Sequence, residues 1–488
     1  MLEAKAIRGI PWTMFSYGAN RLVTLATVVV LARILDPADF GLLALAVLVV
    51  GLLSLFSGLG LGGALVLRQD LDRRAQGTIL TLLLATGVVF AALLAALSPL
   101  ASDLFDEPRL TDVLLVLSLL VLVSGFNWFY ETLLQRELEF SRRFAAVMAQ
   151  ATVNAAVAIL LAILGAGIWS LVGGQIAGTL VYGASLVALA PYRVRPGFDR
   201  EVARDVLSTG RGFLFQGGAA FISQNVDYIA VGRSLGAAPL GFYSMAYRLS
   251  EIPYWGIADP IAKVTFPGFA RMRHRGEDVK VAFLSALRLV ALAACPLGVL
   301  LSATADPFTR TLFGDRWLAM IGPLSVLGIW TALRSVEATA GWLLNSVGEA
   351  GLLAWLSALF LGPLFVSLLL AAHFGGITAV SWVMLANTAL ATAVVAYFLS
   401  RRVGVPVAGQ ARAVWPIVVA CGGAWVTARA TVELAENAAP VLALLASGAI
   451  GTAAYFAIIF LVQRSLIRDT IGQVRRMRAN VSVVADSP

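Results

Sequence analysis

Charge is scarce in this chain: Asp, Glu, Lys and Arg make up 13% of 488 residues, while 59% are hydrophobic and the mean hydropathy is +0.86. A soluble protein of this length needs polar side chains to cover its outside, so a soluble fold is excluded. Lysine is nearly missing, with Lys5, Lys263 and Lys280 alone, and none stands in the Gly-Lys-Ser/Thr context that cradles a phosphate. Histidine occurs twice and cysteine twice, and no HExxH or Cys/His cluster exists. ATP hydrolysis, zinc chemistry and thiol redox have no residues to work with, and the expectation is a protein that is not an enzyme and carries no cofactor or metal. Cys295 and Cys421 both fall in apolar runs and read as free thiols in helices. The longest polar stretches, near 191–206, 265–280 and 463–488, are too short to fold as domains.

What remains is apolar run after apolar run. Fourteen have the length of about 20 residues that a bilayer span requires. They lie near 10–35, 40–66, 76–98, 110–135, 142–164, 167–190, 207–234, 239–264, 279–303, 318–345, 350–372, 376–399, 411–430 and 439–462. The seventh, eighth and thirteenth are the most polar. With the N-terminus in the cytoplasm, 26 basic residues fall on the cytoplasmic side and 6 on the other, with Arg21, Arg248, Arg288 and Arg334 inside spans. That bias places both termini in the cytoplasm. The formal charge of +8 then belongs to loops facing anionic lipid, not to a nucleic-acid site.

An internal echo organises these runs. Residues 32–46, ARILDPADFGLLALA, align without a gap on 232–246, GRSLGAAPLGFYSMA, and the 30 pairs from 17/217 to 46/246 hold 7 identities, among them Arg33/Arg233 and Gly41/Gly241. Further echoes follow: Leu104-Phe105 with Leu312-Phe313, Leu133-Leu134-Gln135 with Leu343-Leu344-Asn345, and Gly167-Ile168 with Gly376-Ile377. Six spans separate the copies, so both run in the same direction across the membrane. The expected plan is an all-α polytopic membrane protein of about 14 transmembrane helices, built from two parallel six-helix repeats and two added C-terminal helices. Its segments are an N-terminal lobe over 1–192, a surface linker over 193–206, a second lobe over 207–400, two helices over 401–462 and a basic cytoplasmic tail over 463–488. The linker RVRPGFDREVARDVL carries apolar residues at helical spacing, and the tail repeats that pattern; both read as surface anchors.

Polar residues inside spans cost about 2.5–3.5 kcal/mol each on insertion scales and therefore turn toward a protein interior or a wet cavity. The first run carries Ser16, Tyr17, Asn20, Arg21, Thr24 and Thr27; the seventh Gln216, Ser223, Gln224 and Asp227; the fourth Ser124, Asn127, Glu131 and Gln135. The tenth carries Arg334, Glu337 and Asn345, and the eighth Ser244, Tyr247, Arg248, Glu251, Trp255 and Asp259. Arg248/Glu251 and Arg334/Glu337 are spaced i,i+3, so neutralisation within one helix competes with a ligand role. Arg288 reads as snorkelling and His373 as interfacial. Gly58/Gly62 and Gly174/Gly178 have the spacing that lets helices approach. Pro253, Pro260 and Pro267, seven residues apart, imply a kinked eighth helix.

At the two echoed segments, at RILDPADFG (33–41), and at GFYSMAYRLSEIPYWGIADPIAKVTFPGFARM (241–272) with its TFP (265–267), the chain resembles the Wzx-type polysaccharide flippases. These belong to the multidrug/oligosaccharidyl-lipid/polysaccharide exporter superfamily, and the look is that of the branch with the colanic acid and teichuronic acid exporters. The resemblance covers about 10–460. It implies two six-helix lobes around a V-shaped central cavity in the bacterial inner membrane. The cargo it implies is an undecaprenyl-diphosphate-linked oligosaccharide, moved to the outer leaflet during lipopolysaccharide or exopolysaccharide synthesis, with a polysaccharide polymerase and a chain-length regulator as partners beside membrane lipid. On this reading Arg21, Asn20, Arg248, Arg334, Tyr247 and Trp255 are candidates for the diphosphate and sugar, since a guanidinium in a wet cavity suits a diphosphate. Asp227, Asp259 and Glu131 are candidates for coupling to a proton or sodium gradient. An ion-coupled small-molecule or drug antiporter of the same superfamily is the alternative, and a non-transporting scaffold for a polymerase is a third reading that the duplication disfavours.

Overall fold

The computed structural model describes residue 18 and residues 20–57, 72–137 and 139–462, without the side chains of 55–57 and 205–220. Ser16, Tyr17, Gly58, Gly62, the side chain of Gln216 and the tail from 463 lie outside the described residues. Regular structure within them is helical throughout. The chain divides into two compact units, Met1–Gly241 and Phe242–Pro488.

The first unit holds α1 (20–34), α2 (Pro37–Ser57), α3 (Arg73–Phe105), α4 (Arg109–Arg136), α5 (Phe140–Ile163), α6 (Ile168–Leu189), α7 (Arg200–Leu235) and the start of α8 (Ala237–Ser250). Helix starts follow the sequence chemistry: the Asp72 carboxylate accepts from Ala75 N at 2.8 Å, and Asp199 accepts from Glu201 N and Val202 N. Each satisfies N–H groups that the first turn leaves without a helical partner. Ile79, Leu83, Phe129, Leu133 and Leu186, all at most 2% exposed, form the centre of this unit where α3, α4 and α6 meet. Gly174 and Gly178 let α6 lie against α5, because a Cβ on either would come within 3.0 Å of Asn154, Ala158 or Gln150 atoms.

The second unit continues with a π-helical turn (Tyr254–Ala258), α9 (Asp259–His274), α10 (Val279–Ala303), α11 (Ala305–Leu312), a 3-10 turn (Asp315–Met320), α12 (Ile321–Ser346), α13 (Ala350–Arg402), α14 (Val407–Leu434) and α15 (Pro440–Val462). Phe283, Leu287, Leu343, Leu344 and Leu399 are its core. The last two helices dock on α10, where Tyr455 donates to Leu292 O at 2.9 Å and Trp425 donates to Ser302 Oγ at 3.2 Å. Cys295 and Cys421 are buried free thiols in that contact. α13 is two helices in line, broken at Gly376, whose φ of 64° no β-carbon favours.

All fourteen expected runs fall on helix over their described residues, the first from 20 and the second as far as Ser57. Ten described helices are long and apolar enough to cross a membrane. Leu359, Val366, Leu442, Leu445 and Phe456 are more than half exposed, which water would penalise and lipid does not. The protein is a multi-pass α-helical membrane protein. At the expected prolines the helix is irregular at Pro253 alone: α8 ends at Ser250, a π-helical turn follows Pro253, and α9 runs through Pro260 and Pro267.

The sequence echoes correspond to matching local backbone. Asp106 and Gly314, which follow the Leu-Phe pair in each copy, both have positive φ (53° and 86°), and so do Gly167 and Gly376 (55° and 64°). At the Leu-Leu echo the bonds Glu137 N to Leu133 O and Glu139 N to Leu134 O recur as Val347 N to Leu343 O and Glu349 N to Leu344 O, all within 2.9–3.1 Å.

The linker departs from its expected helical character over its first half. Residues 193–199 are not helical and are tied to the first turns of α3: Gly197 N donates to Thr81 Oγ1 at 3.1 Å and Asp199 N to Thr78 Oγ1 at 2.9 Å. Pro196 is the reason, since it drives Arg195 away from helical geometry. Helix begins only at Arg200 and runs without a break to Leu235.

Candidate functional site

The broken α8 and the π-helical turn bring a set of polar side chains against α12 inside the second unit. Pro253 supplies no N–H, and a π-helical turn follows it and carries Tyr254 and Trp255. Insertions of this kind recur at functional sites because they re-aim side chains without ending the helix.

Arg334 stands at the centre. Its Nη1 donates to Glu251 Oε1 at 2.7 Å and to Tyr247 Oη at 2.9 Å. The guanidinium lies 4.8 Å from the Trp330 ring centre and 4.9 Å from that of Tyr254. Each such cation–π contact is worth about 0.5–2 kcal/mol, more where water is excluded. Glu251 is held from its other side by Trp255 Nε1, which donates to Oε2 at 3.1 Å. The Arg334 and Glu251 side chains are 20% and 15% exposed, so the pair is reachable but mostly out of solvent. The ion pair is therefore between helices; pairing of Arg248 with Glu251, or of Arg334 with Glu337, is not what the structure contains.

Two groups in this cluster stay unengaged among the described residues. Arg334 uses Nη1 alone, so its Nε–H and both Nη2–H bonds have no acceptor. Those donors form the planar fork that matches two oxygens of a carboxylate or phosphate. Glu337, one turn further along α12 and partly buried, has no hydrogen bond or ion pair. The cluster can thus accept an anion on a guanidinium already fixed in place by a carboxylate, a phenol and two aromatic faces.

The other expected residues are distributed as follows. Tyr247, Arg334 and Trp255 are brought together through Glu251. Arg248, on α8, is exposed. Asp259 pairs with Lys263 at 2.6 Å. In the first unit Arg21 is exposed and Asn20 partly buried, its carbonyl accepting from Thr24 Oγ1 at 2.8 Å. Asp227 is fully buried on α7. Glu131 accepts from Arg143 Nη2 at 2.7 Å and from Gln135 at 3.2 Å, while Asn127 donates to Thr179 O at 3.2 Å. Arg288 is partly buried and its Nε has no acceptor among the described residues. His373 is exposed beside Phe374. No group of three or more His, Cys, Asp or Glu able to hold a metal occurs among the described residues. Tyr254 and Trp330 were not singled out by sequence. Trp330 lies four residues before Arg334, on the same helical face, and that spacing was the available signal.

Comparison with known proteins places the chain in a family. The succinoglycan biosynthesis transport protein ExoT of Rhizobium meliloti is 28% identical over 480 residues, covering 97% of either chain. The teichuronic acid biosynthesis protein TuaB of Bacillus subtilis is 29% identical over 330 residues, 67% of this chain and 68% of that one. Among solved structures, the lipid II flippase MurJ in an inward closed conformation superposes with a TM-score of 0.77 at 12% identity, over 94% of this chain and all of that one. At that identity the likeness concerns the fold, and function has to be argued from the site. The family described as polysaccharide biosynthesis protein matches residues 30–322, three-fifths of the sequence and inclusive of the broken helix and the π-helical turn. The chain belongs to the polysaccharide biosynthesis protein family.

Proposed function

We propose that this protein is a flippase for polysaccharide precursors, which carries undecaprenyl-diphosphate-linked oligosaccharide units across the bacterial cytoplasmic membrane by alternating access. The observation that carries the reading is the open Nε/Nη2 fork of Arg334, fixed within a membrane-embedded helix by Glu251, Tyr247, Tyr254 and Trp330. A diphosphate is the lipid-linked group that such a fork suits best. The relatives ExoT and TuaB, named for succinoglycan transport and teichuronic acid biosynthesis, and the fold shared with the lipid II flippase, support the class of cargo.

Fourteen spans, two parallel six-helix repeats with two helices added, and both termini in the cytoplasm complete the proposal. Its support is the basic-residue bias and the paired backbone features at Asp106/Gly314 and Gly167/Gly376. Arg21, Asn20, Arg248 and Trp255 join Arg334 and Tyr247 as further cargo contacts, and an ion gradient supplies the energy, with Asp227 as its candidate in the first unit. Partners are the lipid-linked cargo, a polymerase and a chain-length regulator. The protein performs no covalent chemistry on the cargo.

Complementation of a strain lacking its own lipid-linked oligosaccharide flippase tests the reading. The wild-type gene restores surface polysaccharide, and Arg334→Ala lowers it at least about tenfold at equal membrane expression, the effect of losing about 1.4 kcal/mol of headgroup binding. Full activity of Arg334→Ala overturns the site. Dye efflux without restored polysaccharide overturns the function in favour of the antiporter.

A further inference from the structure

The cluster around Arg334 has one cation and two carboxylates, and they are not equivalent. Glu251 is satisfied at both oxygens, by Arg334 Nη1 and by Trp255 Nε1. Glu337 is satisfied at neither among the described residues, although it stands one turn from Arg334 on the same helix and feels its charge. Arg334 on α12 is the cation that acts on Glu337, and Tyr254 on the π-helical turn is a neighbouring titratable group on which Glu337 acts in turn.

With both carboxylates ionised the cluster carries a net charge of minus one, and an anionic headgroup on the free fork of Arg334 would meet an unshielded carboxylate beside it. In a low-dielectric setting two like charges one helical turn apart disfavour each other, and one of them takes up a proton. We propose that Glu337 is the proton-binding residue of the cargo site, and that it takes a proton together with the anionic headgroup held by Arg334. The proposal rests on the assignment of Arg334 to the headgroup. Coupling free energies are reciprocal, so the proton tightens headgroup binding by the factor by which the headgroup tightens proton binding. Proton and cargo therefore occupy the same state of the carrier. A competition in which each displaces the other would require Glu337 to give up its proton when the anion arrives, and the charge count opposes that.

Isothermal titration of the full-length protein in nanodiscs with farnesyl diphosphate tests this. Measured between pH 6 and 8.5 in buffers of different ionisation heat, it yields both Kd and protons taken up per headgroup bound. The wild type is expected to take up as much as about one proton more than Glu337→Gln, and its Kd to rise relative to the variant by up to about tenfold per pH unit where Glu337 titrates. The titration of farnesyl diphosphate itself cancels between the two proteins. Glu337→Met, close in volume, serves if the Gln variant does not fold. Equal proton uptake and parallel pH profiles in wild type and variant overturn the proposal. Arg334→Gln separates it from its foundation: weak binding at every pH upholds the headgroup site, and wild-type binding by Arg334→Gln removes that site whatever Glu337 does.

Discussion

Gly41 and Gly241, aligned by the 200-residue echo, face each other reciprocally: a Cβ on Gly41 would strike Ala237 O, and a Cβ on Gly241 would strike Pro37 O. Pro37 and Ala237 are themselves an aligned pair, so the start of α2 and the start of α8 cross on a local two-fold relation. The obstacle at each position is backbone, which cannot rotate away. Gly41→Ala and Gly241→Ala are each expected to lower stability by about 1–3 kcal/mol, the usual cost of overpacking a close contact. Gly256→Ala and Gly341→Ala, where a Cβ meets nothing within 4 Å, are the controls and stay close to wild type. Thermal unfolding in detergent, followed by tryptophan fluorescence, reads the difference.

The Arg334–Glu251 pair lets a structural role be separated from a transport role. Arg334→Ala strands a mostly buried carboxylate, and breaking such a pair costs about 3–5 kcal/mol. Arg334→Met with Glu251→Gln removes both charges at near-constant volume, so most of that stability returns. Polysaccharide export does not return, because the fork is gone. A double variant as stable as wild type and fully active in complementation would reduce the pair to a structural tie.

Much of the fold was legible because apolar length is a strong signal: over its described residues each run long enough to span lies on helix, including the polar seventh and eighth. The echoes were legible down to backbone, since Gly167 and Gly376 share a conformation that few residues other than glycine adopt. The site was legible in its residue types and not in its pairing. Counting along one helix offers Glu337 to Arg334, whereas the break at Pro253 presents Glu251 from another segment, and no periodicity encodes that meeting. The π-helical turn was hidden for a related reason, as one extra residue in a turn leaves no mark on a 3.6-residue pattern. In the linker the apolar spacing of Val194 and Phe198 pointed to helix, and Pro196 overruled it.

The strap between the linker and α3 yields the last prediction. Gly197 N and Asp199 N each donate to a threonine hydroxyl, on Thr81 and Thr78, and Gly77 admits the strap because a Cβ there would come 2.8 Å from Arg195 O. Thr78 is fully buried, so a valine of the same shape keeps the packing and deletes the acceptor. Thr78→Val with Thr81→Val leaves Asp199 N without its acceptor, at about 1–3 kcal/mol where it stays buried, while Gly197 N keeps only its longer bond to Gly77 O at 3.3 Å. The stability loss falls on the strap and not on the helices, whose backbone bonds are untouched. Hydrogen–deuterium exchange at 195–199 should therefore quicken by at least about tenfold while α4 and α6 keep their protection. Uniformly faster exchange over the whole first unit would mean that the strap holds the helices together, and unchanged exchange at 195–199 would mean that the two threonine bonds do not hold it.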